Sequence, residues 1–155
     1  MNMKRFETNI FFKKLFVGWI VPANRQLGIR LKSVDGRKIV MRLKKCRKNT
    51  NYGGTVHGAA MMALAETIHG MAVLDRFGAF DHLIVSKEVM LKFTKKAKGE
   101  LEVAYNLPEE TEALIERKLK DEVSCEVDLM ANITDKENDT VAKMTATYHI
   151  RRFKK

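Results

Sequence analysis

Residues 51–70 read NYGGTVHGAAMMALAETIHG. A loop with paired glycines passes into an apolar run whose spacing predicts a helix over about 56–75. Between Val56 and Leu74 the only formally charged side chain is Glu66. A helix apolar on nearly all sides has to be enclosed, and the segments before and after it are of the kind that enclose.

Upstream, two runs of alternating character, 27–34 and 37–45, meet at Asp35-Gly36, a hairpin signal. Ile39, Met41 and Leu43 supply the apolar face of the second run. Downstream of a turn at Gly78–Asp81, residues 83–94 read as a strand, with Val85, Val89, Leu91 and Phe93 sharing one parity. Gly99 interrupts, and 100–106 resumes as strand. In 108–122, PEETEALIERKLKDE, acids precede bases after Pro108, the charge order of a short exposed helix. Strands over about 123–134 and 139–152 close the chain. The pattern predicts an α+β domain in which an antiparallel sheet wraps one long helix. Free sheet edges in such a fold invite pairing between subunits.

Ahead of this core, Phe12, Leu15, Phe16 and Trp19 recur at helical spacing beside Lys13 and Lys14. They predict an extra amphipathic N-terminal helix, about 5–20, packed on the domain rather than on a membrane. The whole of 1–155 reads as one domain, its core over about 25–152.

The net charge of +10 favours anionic partners. It does not indicate nucleic acid, because no aromatic–basic RNP pattern, zinc spacing or helix-turn-helix sequence accompanies it. The run Val56–Leu74 is nearly long enough to span a bilayer, but Glu66, His57 and His69 make spanning costly. No signal peptide is evident, and Cys46 and Cys125 lack metal or redox spacing, so a reduced cytoplasmic setting is expected.

An acid retained in a helix built for burial is a candidate general base or nucleophile; the alternative is a structural acid bonded to backbone or to a partner subunit. His69, three residues on, is either its hydrogen-bond partner or a satisfied core histidine. Met61, Met62 and Met71 read as core, with an acyl-pocket lining as the other reading. At the helix start, unpaired backbone N–H groups can hold an oxyanion, and Gly53, Gly54 and Gly58 admit a close approach. Gly58 and Glu66 lie about 12 Å apart along the helix axis at about 1.5 Å per residue. One chain therefore cannot easily bring both to one carbonyl, whereas an antiparallel homodimer can.

Asn51-x-x-Gly54-Thr55-x-His57-Gly58, followed by Ala63-Leu64-Ala65-Glu66, resembles the hotdog-fold thioesterases of the phenylacetate-pathway type. In those the acid follows the histidine by nine residues, as Glu66 follows His57. IVSKEVMLKFTKKAKGELEVAY (84–105) is similar to the family's next two strands. The likeness is closest to the branch called domain of unknown function 4442, which also carries an N-terminal helix. Ala59 departs from the usual second glycine, and Lys95-Lys96-Ala97 stands where many members have a proline before the alanine.

The resemblance implies a hotdog fold and hydrolysis of an acyl-CoA or acyl-carrier thioester, or alternatively acyl binding without hydrolysis. It implies a homodimer or dimer of dimers, and no metal or cofactor beyond the coenzyme A of the substrate. By the same resemblance Glu66 is the base or nucleophile, the Gly58 N–H polarises the carbonyl, Asn51 orients water or the carbonyl, and His57 shapes the loop or bonds the substrate. Gly54, Thr55, Ser86 and Met62 are the implied substrate contacts.

Overall fold

The computed structural model describes residues 10–15, 17–18, 21–79 and 81–153. Two short helices, α1 (Ile10–Leu15) and α2 (Pro22–Gln26), precede a hairpin of β1 (Ile29–Asp35) and β2 (Lys38–Leu43). The hairpin turns at Gly36-Arg37, where Gly36 supplies the positive φ of 53° that the tight connection needs. After a loop comes α3 (Gly58–Phe77), then β3 (His82–Phe93), β4 (Leu101–Asn106), α4 (Glu109–Asp121), β5 (Ser124–Thr134) and β6 (Thr140–Arg152). The six strands form one sheet in the order β1-β2-β4-β5-β6-β3, antiparallel throughout. This is the hotdog arrangement that the sequence pattern and the resemblance implied.

α3 packs across β2, β4, β5, β6 and β3. It buries a broad face of Ala60, Met61, Leu64, Ala65, Ile68, His69, Ala72 and Val73 against inward side chains such as Met41, Val103, Leu129 and Met144. Positions recurring at four and one along the helix fill that face, as burial on a sheet requires. A narrower stripe, Met62, Ala63, Glu66, Thr67, Gly70 and Leu74, is only half-buried. The enclosure is thus one-sided within the chain. Gly78, at φ 90°, ends the helix by donating its N–H to Leu74.

α4 carries Glu109, Glu110 and Glu112 in its first turn and Lys118 and Lys120 in its last, as its charge order predicts, with Pro108 capping it from outside. Glu112 reaches back to Arg76 of α3, at 2.9 and 2.7 Å, and to Arg37 of the hairpin turn. Burial alone would raise its carboxyl, but the two guanidinium groups outweigh that and hold it below the usual carboxylate range.

A helix stands where the sequence predicts one, but on the described residues its expected apolar stripe is reversed, since Leu15 is exposed and Lys13 is buried. α1 covers Ile10–Leu15 and packs near β1, and Val17 is buried. Phe16, Trp19 and the side chain of Phe12, on which the apolar stripe also rested, lie outside the described residues, as do residues 5–9. Lys13 is itself buried at 4% exposure, ion-paired with Asp75 near the end of α3. No helix among the described residues is long and apolar enough to cross a membrane.

One strand departs from its expected parity. β3 and β6 stay in register from His82↔Arg152 to Ser86↔Tyr148 and resume at Glu88↔Thr147, leaving Lys87 as an extra residue. Such a bulge reverses the facing of everything beyond it. Ile84 and Ser86 before it, and Val89, Leu91 and Phe93 after it, therefore pair with the inward positions Ile150, Tyr148, Ala146, Met144 and Ala142. Val85 pairs with His149 on the opposite, outer face and does not belong with Val89.

Candidate active site

Glu66 sits midway along α3 on the half-buried stripe, and the Ser86 hydroxyl donates to its Oε1 at 2.5 Å. The contact exists because the Lys87 bulge lets Ser86 and Val89 both face α3. Without it, one of the two halves of β3 would turn its inward residues to the outer face. Ser86 also pairs across the sheet with Tyr148, whose phenol is pushed up by burial first and by the Glu66 charge second.

His69 is not the partner of Glu66. Its Nδ1 lies 3.1 Å from the Tyr148 hydroxyl, and its ring packs edge-on against Tyr105 and Tyr148 in the core. Burial lowers its pKa to about 4, a shift opposed in part by the nearby Met130 backbone. It is the core histidine of the two readings, but only half satisfied, because its Nε2 has no hydrogen-bond partner among the described residues. Tyr105, beside it, is pushed up to about 12 by burial.

The glycine loop stands at the other end of α3. The Asn51 amide donates to Thr55 Oγ1 at 2.9 Å and its carbonyl accepts from the Thr55 N–H at 3.1 Å. Main-chain bonds Asn51 N to Thr55 O and Gly54 N to Asn51 O complete the turn, in which Gly54 holds a φ of 73°. Asn51 and Thr55 thus build the loop from within. His57 caps the helix, its Nδ1 accepting from the Ala59 N–H at 3.2 Å. Gly58 follows as the first helical residue, so its N–H has no intrahelical acceptor. A Cβ at Gly58 would fall 2.8 Å from the ring of Phe93, which lies against the helix start.

The sequence-predicted residues therefore fall into two groups within one chain. Asn51, Gly54, Thr55, His57 and Gly58 gather at the helix N-terminus beside Phe93, while Glu66 and Ser86 meet about 12 Å further along α3. Met62 lies one turn before Glu66, half-buried and packed on the core. Beyond Glu66 a cavity of about 400 Å³ opens between α3, Ile84 of β3 and the N-terminal segment, where Val17, Val21 and Asn24 contribute to its wall. Sequence reasoning missed that wall. Its signal was the apolar character of Val17, within the expected helix, and of Val21, just after it.

The profile of the family described as domain of unknown function DUF4442 matches residues 9–150. The chain belongs to the DUF4442 family. This DUF4442 chain is similar in fold to a Pseudomonas aeruginosa protein described as of unknown function and a probable thioesterase, with a TM-score of 0.84 at 23% identity over 94% of this chain and 97% of that one. A Chlorobaculum tepidum protein of unknown function gives 0.78 at 20% identity, over 90% and 92%. A thioesterase from Haemophilus influenzae gives 0.72 at 15% identity, over 93% and 91%. At these identities the likeness establishes the hotdog fold of the chain. No curated protein matches this DUF4442 chain.

Proposed function

We propose that the protein hydrolyses an acyl-CoA or acyl-carrier thioester, with Glu66 as the general base. The observation that carries this reading is the half-buried Glu66 carboxylate, held by Ser86 at the mouth of a largely apolar cavity. Water activated by Glu66 would attack the thioester carbonyl carbon and give up its proton to the carboxylate. The tetrahedral intermediate then collapses, the C–S bond breaks, and the thiolate leaves with that proton. An N–H at a helix start stabilises an oxyanion, and the Gly58 N–H, free of an intrahelical acceptor, would take that role.

Because Gly58 and Glu66 lie about 12 Å apart along α3, the proposed site needs two subunits. β3 supports this, since among the described strands it pairs only with β6 and its other edge carries unpaired main-chain groups. An antiparallel pair of β3 strands, with a two-fold axis at Met90 and Lys87 bulged in each strand, sets Ser86 of one subunit opposite Phe93 of the other. Phe93 touches Gly58, so the same register brings the Glu66–Ser86 pair of one subunit toward the glycine loop of the other. Scattered lysines and arginines would meet the cofactor phosphates, and Asn51, Thr55 and His57 keep the loop in shape.

The test is a screen of acyl-CoA thioesters with free thiol as the readout, wild type beside Glu66→Gln. Turnover by the wild type should fall by about 10²- to 10⁴-fold in the variant, with the fold and dimer retained. A variant as fast as wild type removes Glu66 from the chemistry. Saturable binding without thiol release would make the protein an acyl binder instead.

A further inference from the structure

We infer that the cavity beyond Glu66 is an acyl-chain pocket of medium length, closed on one side by the N-terminal segment and kept open in bore at Gly70. The inference rests on the thioesterase reading for its substrate, but on the cavity alone for its shape.

Along α3 the cavity follows one helical stripe: Ala63, Glu66, Thr67, Gly70, Met71 and Leu74. These are spaced at three, four, seven, eight and eleven residues from Ala63, so they form a straight groove floor. Val17 and Val21 face them from the N-terminal segment, and Ile84 closes the β3 side. The floor is polar at one end and apolar at the other. Glu66 and Thr67 stand at the first; Gly70, Met71 and Leu74 continue into the second.

The polar end has an unmet hydrogen-bonding group. Asn24, 2% exposed, places its Oδ1 3.1 Å from the Thr67 hydroxyl, while its Nδ2 has no partner among the described residues. The Thr67 hydroxyl also lies 2.7 Å from the Ala63 carbonyl. A hydroxyl has one proton. If that proton goes to Ala63, the amide turns to donate and its oxygen is left over; if not, its nitrogen is. With Nδ2 left over, the buried wall keeps a donor for a ligand oxygen near Glu66, whereas a left-over Oδ1 would accept only from a donor such as water; the other end is lined by the apolar Gly70, Met71, Leu74, Val17 and Val21. That is the polarity of a fatty acyl group lying with its carbonyl at the carboxylate and its tail toward Leu74.

The length follows from the floor. Glu66 to Leu74 is eight residues, about 12 Å at about 1.5 Å per residue. Carbon–carbon bonds of about 1.5 Å advance an extended chain by about 1.25 Å each, so about eight to ten carbons fill it. Gly70 stands halfway. A Cβ there meets Ile84 at an ordinary 3.9 Å, so alanine fits, whereas a longer side chain extends into the bore.

The experiment compares wild type, Gly70→Ala and Gly70→Leu across acetyl- to palmitoyl-CoA. Hydrolysis is read as kcat/KM, and binding by calorimetry on a Glu66→Gln background. Wild type should prefer octanoyl or decanoyl chains. The ratio of decanoyl to acetyl kcat/KM should fall by about tenfold or more in Gly70→Leu, and less in Gly70→Ala, which tests the site without threatening the fold. Decanoyl-CoA binding should weaken in the same order. An unchanged chain-length profile and unchanged binding in folded Gly70→Leu overturn the pocket. No hydrolysis by wild type, with length-dependent binding that Gly70→Leu weakens, overturns the thioesterase reading and leaves the pocket standing.

Discussion

At the scale of single residues, the hydroxyl of Ser86 gives the Glu66 carboxylate a fixed orientation. A carboxylate on a half-exposed helical stripe would otherwise sample several rotamers, and catalytic rates fall steeply with small misplacements. Ser86→Ala is expected to lower kcat by about tenfold to a hundredfold with little change in KM, and Ser86→Thr, which keeps the hydroxyl on a strand, to recover most of it. Steady-state kinetics on an octanoyl thioester reads this directly; a loss carried by KM instead would make Ser86 a binding contact. Glu66 was legible in the sequence because a lone charge in an apolar helix is conspicuous. Its contact with Ser86 was not legible from periodicity, since alternation counted straight along 83–94 puts Val85, and not Ser86, on the face of Val89.

Among elements, the packing of α3 on the sheet has a polar joint. His69 is enclosed by Tyr105 and Tyr148, and burial holds its pKa at about 4 against 6.5 for a free side chain. The unfolded chain therefore binds a proton below pH 6.5 that the folded chain refuses until about pH 4. Stability contributed by this neutral histidine is complete above pH 6.5 and declines as the pH falls toward 4, by up to about 3 kcal/mol. Urea midpoints measured across that interval should show the decline, and His69→Gln should flatten it. The type and order of every core element followed from pattern: alternation in the strands, the Asp35-Gly36 turn, the charge order of α4. What pattern could not supply was the bulge at Lys87, because one extra residue leaves no mark in composition, and the fate of Lys13, because a lysine beside apolar neighbours reads the same whether it meets water or Asp75.

For the whole molecule, the proposed site belongs to a pair of subunits, which makes it testable by mixing. Proline is favoured at the first helical position and lacks the N–H, and His57, at φ −66° and ψ 137°, already has the extended backbone that precedes a proline. Gly58→Pro should thus remove the donor and keep the helix, the exposed Phe93 ring swinging aside. Gly58→Pro and Glu66→Gln should each be inactive alone. Co-folded in equal amounts they should recover about a quarter of wild-type activity, since half the dimers are mixed and each mixed dimer has one intact site. Recovery of none would place both groups in one subunit's site. The sequence could suggest the second subunit only through helix length, which is arithmetic on one element; the register of two β3 edges needs the strand bounds and the Phe93–Gly58 contact.

The Lys13–Asp75 pair fastens the start of the N-terminal segment to the far end of α3, nine residues beyond Glu66. Its charges are largely shielded from solvent, so added salt screens it weakly. The fastening and the acid are thus remote from each other in both sequence and space. Val17 and Val21, which follow that fastening in the chain, line the cavity, while Glu66, Ser86 and the glycine loop belong to other elements. The architecture is modular in descent: a lineage could retune what it accepts through its first two dozen residues and inherit its chemistry unchanged.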